Sequence, residues 1–449
     1  MLRTSHVARV RIAVLAFLGI LSAASAQADV LGVTGTSFTL TAKADRISTP
    51  EGGNFLFWGF SAGPGRAQYP GPTLIVNQGA AVSITVANPT GLDAGQRVSL
   101  AFPGQSGVTA TCGGTCIQGP LGLEAVQGST VTYTFTASRP GTFLYNSASR
   151  PDLQIEMGLM GALIVRPAAA NQAYDTTQSA FDQEYLFLLS EIDSTIHDMV
   201  EQQGVAAVDA SGKLANPFVN YWFINGRNAP DTMAEAGTAL LPTQPYNALP
   251  RTHAGDRVLM RVIGGGRDMH PFHHHGNHAR IIAVDGFLKQ SAPGDALDLS
   301  HEVFTIQSLP GQTVDAIFSW TGKDLGWDIY GDPTDPLYAH TCTANAAGLA
   351  AAGPGFEKTA SKLEYCPDHG IKIPVTQPEQ FGLTFGGFWA GAFLGSMALL
   401  PPGEGGLNPN AGYTYMWHSH TEKEITNYDV FPGGMMTMLV VEPTSVPIP

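Results

Sequence analysis

Residues 37–42 read Ser-Phe-Thr-Leu-Thr-Ala, with larger apolar side chains at every second position, and the same alternation returns at 81–86 and 131–135. Side chains of a strand point alternately to opposite faces, so this pattern predicts half-buried strands. Apolar runs at 73–76 and 161–165, with Gly and Pro between them, predict further strands of a β-sandwich. A small, polar, Ala-rich stretch at 166–182 closes this set. A second set follows at 184–189, 257–262, 278–284, 313–318 and 436–441. Segments 190–250 and 322–410 are richer in loop formers, and the second is too long for a plain connection, which predicts an ordered excursion. The pattern therefore divides the chain into two β domains, 29–170 and 180–447. They form a weak internal repeat. Residues 72–79 and 253–256 each lead into a strand, and Gly158-Leu159-Met160 and Gly433-Gly434-Met435 each precede a closing apolar strand.

Composition agrees with this reading. Charged residues make up 13% while Gly numbers 52 and Pro 31, which suits many short strands and turns better than long solvated helices. The formal net charge of −14 argues against nucleic acid or anionic lipid as a partner. At the N-terminus, Arg3, Arg9 and Arg11 precede an apolar run at 12–21 that is too short to span a bilayer, and Ala24-Ser25-Ala26 offers a small-residue cleavage site. Residues 1–26 are thus expected to be a signal peptide, with the mature chain periplasmic or secreted and no membrane span after its removal. Export permits disulfides. The pairing Cys112–Cys116 and Cys342–Cys366 keeps each bridge inside one domain, although four cysteines allow two other connectivities.

The chemistry lies in the histidines. None falls between 29 and 196, and twelve lie between His197 and His420. The densest group is Met269-His270-Pro271-Phe272-His273-His274-His275-Gly276-Asn277-His278. On a strand His273 and His275 project to one face, and so do His418 and His420 of Trp417-His418-Ser419-His420. Two such pairs place four imidazoles around one volume, a donor set that suits copper, zinc or iron. Glu422 and Glu424 are the candidate carboxylates beside them. His274 and His278 are candidates for orienting the ligands, and His197, His253, His301 and His369 are taken as structural.

His270-Pro-Phe-His273-His274-His275-Gly276 resembles the copper-binding motif of the last domain of multicopper oxidases, and His418-Ser419-His420 followed by Gly434-Met435-Met436 resembles the second copper motif of that domain. Gly71-Pro72-Thr73-Leu74 and Gly141-Thr142-Phe143-Leu144-Tyr145 resemble first-domain signatures of the same family. The resemblance covers most of the mature chain apart from 190–250 and 322–410. It implies an all-β protein of two cupredoxin-like Greek-key β-sandwich domains, with long loop excursions in the second.

That family takes electrons at a type 1 copper held by a Cys thiolate and two His, and reduces dioxygen at a trinuclear cluster held by eight His. Carried over position by position, the type 1 His falls on His270, its Cys on Ser419, its second His on Glu424, and its axial Met on Asp429 or Met435. A hydroxyl is neither as soft nor as acidic as a thiol, so no blue copper is expected. The four cluster ligands of the last domain are all present as His273, His275, His418 and His420. The four of the first domain fall on Ala101, Pro103, Asn146 and Ala148, and all are absent. Four imidazoles cannot hold three coppers. The expectation is a copper-binding protein with a reduced, single-metal, non-blue site, its metal set being His270, His273, His275, His418, His420, Glu422 and Glu424. Zinc suits the same nitrogens. A small-molecule reductant or dioxygen would be the partner of any redox activity. Two-domain relatives are commonly trimers, so a homotrimer is an assembly the resemblance implies, but identical subunits would bring no further His. An oxidase completed by a partner protein and a metal-free interaction module are the alternatives.

Overall fold

The computed structural model describes residues 30–89, 92–253, 255–294, 296–320, 413–442 and 447–448. The signal-peptide reading, Cys342 and Cys366, and the 322–410 excursion lie outside the described residues. No described helix is long and apolar enough to cross a membrane.

The first half builds two five-stranded sheets. One runs in the order Val33–Thr34, Gly71–Asn77, Met160–Arg166, Gly141–Ser147, Leu100–Ala101. The other runs Asn54–Ala62, Ser37–Ser48, Ala81–Asn88, Ser129–Thr136, Thr109–Gly113. The alternating residues seen in the sequence meet between them: Phe38, Leu40, Ile84, Val86, Val131 and Tyr133 from one sheet face Leu74, Val76, Phe143, Tyr145, Leu163 and Val165 from the other.

The second half repeats this plan. One sheet contains Tyr221–Ile224, Gln183–Ile192, Arg257–Gly264, Thr313–Ser319 and Ala279–Val284, and the facing sheet runs Arg251–His253, Met436–Glu442, Tyr413–Ser419, His270–His274, Thr305–Ser308. The repeat extends to strand direction. Ser37–Ser48 pairs parallel with Ala81–Asn88, as Gln183–Ile192 does with Arg257–Gly264. Gly71–Asn77 pairs parallel with Met160–Arg166, as Arg251–His253 does with Met436–Glu442. The resulting mixed sheets, packed face to face, are the two cupredoxin-like sandwiches expected from the sequence.

The two halves meet through the sheet that does not carry the histidine motifs. Leu144, Met160, Ala162 and Ile164 of the first half pack with Leu186, Leu188, Phe223 and Ile263 of the second. A buried polar cluster crosses the same seam. Fully buried Arg261 donates to Glu184 (2.9 Å) and to Thr142 (2.9 Å), and Asp315 accepts from Thr142 and Tyr174 at 2.6 Å each. The 190–250 region, expected to be loop-rich, also holds two helices, Ser194–Gln203 and Val205–Ser211. Asp193 caps the first by accepting from the Thr195 N–H at 2.9 Å, and Ile196, Val200, Val205 and Val208 bury against the first-half core.

Candidate metal centre

The strand pairing sets the site. His270–His274 runs antiparallel to Tyr413–Ser419 with His273 opposite His418. Phe272 and Trp417 turn inward and meet Phe187, at ring-centroid distances of 5.1 and 5.8 Å. The alternate residues therefore turn outward and stand together. His273 lies 4.7 Å from His275, 5.4 Å from His418 and 4.9 Å from His420, centroid to centroid. Trp417 also donates its indole N–H to the His275 carbonyl (3.1 Å), which ties the two motifs. Trp417→Ala is expected to cost about 3–5 kcal/mol through the cavity it leaves, read as a lower urea midpoint, and to loosen the histidine cluster with it.

Hydrogen bonds decide which nitrogens face the cluster. His273 Nδ1 lies 2.6 Å from the Phe304 carbonyl and His418 Nδ1 lies 2.7 Å from the Ser419 carbonyl. A carbonyl only accepts, so each Nδ1 carries the proton and each Nε2 keeps its lone pair. His275 Nε2 is 3.3 Å from His418 Nε2, while its Nδ1 is buried without a partner. Burial pushes the pKa of His275 down to about 3 and that of His418 to about 4, with neighbouring imidazoles adding repulsion in His275 and, in His418, opposing the pull of its carbonyl bond. Burial lowers His273 too. All three are neutral near pH 7, the state a metal requires.

One ligand atom from each of His273, His275 and His418 lies within 4.8 Å of the others. Two nitrogens on one ion sit at most about 4.2 Å apart, from bonds of roughly 2.1 Å. The three imidazoles fit one metal ion after a shift of well under an ångström. His420 stands at the rim, with its side chain 54% exposed and Nδ1 3.6 Å from Glu422, whose own side chain is 81% exposed. Glu422 is solvated and stands outside the three-histidine group.

His270 and Glu424 are brought together elsewhere. His270 is fully buried, with Nδ1 2.8 Å from Glu424 Oε2 and Nε2 2.9 Å from Glu191 Oε2. Ser419 donates its hydroxyl to the same Glu424 oxygen at 2.6 Å. Two carboxylates bracketing one ring hold it as imidazolium. Burial alone would lower its pKa, but the two carboxylates push it up to about 10. Both ring nitrogens are then donors, with no lone pair for a metal. Because the folded pKa lies above the unfolded value near 6.5, the proton's contribution is complete below about pH 6.5 and is lost as pH rises toward 10. Urea midpoints are expected to fall between pH 7 and 10, and His270→Ala to flatten that slope.

Glu191 was not singled out in the sequence. Its signal was a carboxylate closing the otherwise apolar run 185–189 on a buried strand, where a charge needs a partner. His274 is buried in the core against Phe318 and Trp417, with its Nε2 3.0 Å from both the Val303 carbonyl oxygen and the Ala279 backbone nitrogen.

A family model described as multicopper oxidase matches residues 66–170. The iron transport multicopper oxidase FET3 of Gibberella zeae is 28% identical over 243 residues, covering 52% of this chain and 33% of that protein. Together these matches support a cupredoxin-type protein related to the multicopper oxidases. The chain spans about a third of the length of the curated relatives it matches. The blue copper oxidase of Nitrosomonas europaea shares the fold at a TM-score of 0.53 and 18% identity, over 90% of this chain and 85% of that one. The multicopper oxidase mgLAC does so at 0.53 and 17%, over 92% and 87%.

The internal repeat shows which first-half residues stand where the second half has its histidines. Ala101 of Leu100–Ala101 pairs with Asn146 in the first half, as His273 pairs with His418 in the second. The first-half counterparts of His273 and His418 are thus a methyl group and an amide. Cys112 and Cys116 form a disulfide.

Proposed function

We propose that this chain is an exported copper-binding protein whose His273, His275 and His418, with His420 at the rim, hold a single non-blue copper. The observation that carries this reading is the convergence of three neutral imidazoles, buried at His275 and His418 and half-buried at His273, set against the counterpart at Ala101 and Asn146. Copper bound there would supply a one-electron redox centre with room for a further ligand. His270 and Glu424 belong to the neighbouring ion cluster, in the place where the family has its type 1 copper, and Glu422 stays in solvent. The ligand set is narrower than the sequence pattern suggests for that reason. Identical subunits would bring Ala101 and Asn146 to one another's histidines, so self-assembly adds no ligand to the cluster. The leader-like N-terminus and the Cys112–Cys116 disulfide support export to an oxidising compartment. The domain boundaries at 29–170 and 180–447 are part of this reading. Equilibrating the mature protein with equal Cu(II) and Zn(II) tests the metal. Copper is expected to displace zinc, as the order of divalent affinities dictates; retention of zinc under excess copper would refute the copper assignment.

A further inference from the structure

The Cys112–Cys116 disulfide takes no part in the histidine site, and its setting suits a reversible bond. The two cysteines are four residues apart, with Gly113, Gly114 and Thr115 between them. Closing so small a ring removes little entropy from the unfolded chain. The flanking backbone is already held without it. Cys112 pairs with Val131, Cys116 pairs with Ala125, and the Thr115 N–H donates to the Ser129 hydroxyl at 2.9 Å. Opening the bond therefore leaves the loop anchored. Cys112 is exposed and Cys116 partly so, which gives an attacking thiolate access. Gly114, at φ +107°, supplies a link free of side-chain obstruction.

We propose that Cys112 and Cys116 form a reducible dithiol that binds one cuprous ion, a second copper address independent of the histidine cluster. A thiolate of a small-molecule dithiol or a dithiol reductase attacks one sulfur, forms a mixed disulfide and expels the other sulfur as thiolate. The reductant's second thiolate then displaces the first cysteine. Two electrons pass to the protein disulfide, which becomes two thiols, and the reductant leaves as its own disulfide. On binding Cu(I) the two thiols release two protons. Thiolate is the soft donor that selects Cu(I), whereas imidazole also accepts Cu(II). Two thiolates on one ion stand roughly 4–4.6 Å apart, from bonds of about 2.3 Å. The Cα separation of 6.0 Å leaves room for that spacing by side-chain rotation.

The test is an anaerobic Cu(I) titration against a chromophoric Cu(I) chelator, before and after treatment with dithiothreitol and its removal. It compares the full mature protein with Cys112→Ser/Cys116→Ser and with His275→Ala. Reduction is expected to add one Cu(I) per chain in the wild type and in His275→Ala, relative to the Cys112→Ser/Cys116→Ser protein. Any contribution from Cys342 and Cys366 is common to all three. Alkylating the reduced wild type with iodoacetamide before adding Cu(I) is expected to abolish the added equivalent without any substitution. Equal Cu(I) uptake by the reduced wild type and the double variant, or a 112–116 bond that resists reduction until the protein unfolds, would overturn the proposal. Failure of the histidine site alone would leave the Cys-dependent equivalent in place.

Discussion

His270→Ala is expected to lower stability by about 3–5 kcal/mol while leaving the chain able to bind one copper. The substitution removes the imidazolium between Glu191 and Glu424, whose oxygens it holds at 2.9 and 2.8 Å, and leaves two buried carboxylates facing a void. Arg267 and Asp268 backbone N–H groups still bond Glu191, at 2.6 and 3.1 Å, and Ser419 still donates to Glu424, so part of the charge stays solvated by the protein. Urea unfolding reads the stability and equilibrium dialysis reads the copper. If His270→Ala lost its copper while folded, His270 would be a ligand and the ion-cluster account would be wrong.

His275→Ala should do the reverse. Its backbone lies at the end of a paired strand and its imidazole faces two others, so its removal leaves the strand pairing in place but takes one of three nitrogens from the metal. Even an outer partner of a metal ligand is worth about 10–100-fold in affinity, and a direct ligand should exceed roughly 100-fold. A competition titration with a copper chelator, on protein whose circular dichroism matches the wild type, checks this. An affinity within a few-fold of wild type would remove His275 from the site.

The fold was largely legible because alternation is a direct consequence of strand geometry. Each stretch read as a strand lies within or overlaps one observed, among them Ser37–Ser48, Ala81–Asn88, Ser129–Thr136 and Met436–Glu442. Asn54–Ala62 was missed because Phe55 to Phe60 is apolar on both faces, as befits a strand covered on each side. The helix Ser194–Gln203 was missed although Asp193 as its cap, with Ile196 and Val200 one turn apart, is a readable start signal. The pairing of His273 with His418 was implied by their motifs. The capture of His270 by Glu191 was not, because 79 residues separate them and only the parallel pairing of Gln183–Ile192 with Arg257–Gly264 brings that carboxylate beside the motif. Glu422 and Glu424 look alike on paper. The single turn at Glu422–Ile425 sends one to solvent and the other into the core.

Copper content and electron paramagnetic resonance of the purified mature protein, reconstituted with Cu(II), test the account most directly. One copper per chain, a type 2 signal and no intense blue absorbance are the predicted result. Three or four coppers per chain, a blue band, or no bound metal at all would contradict it.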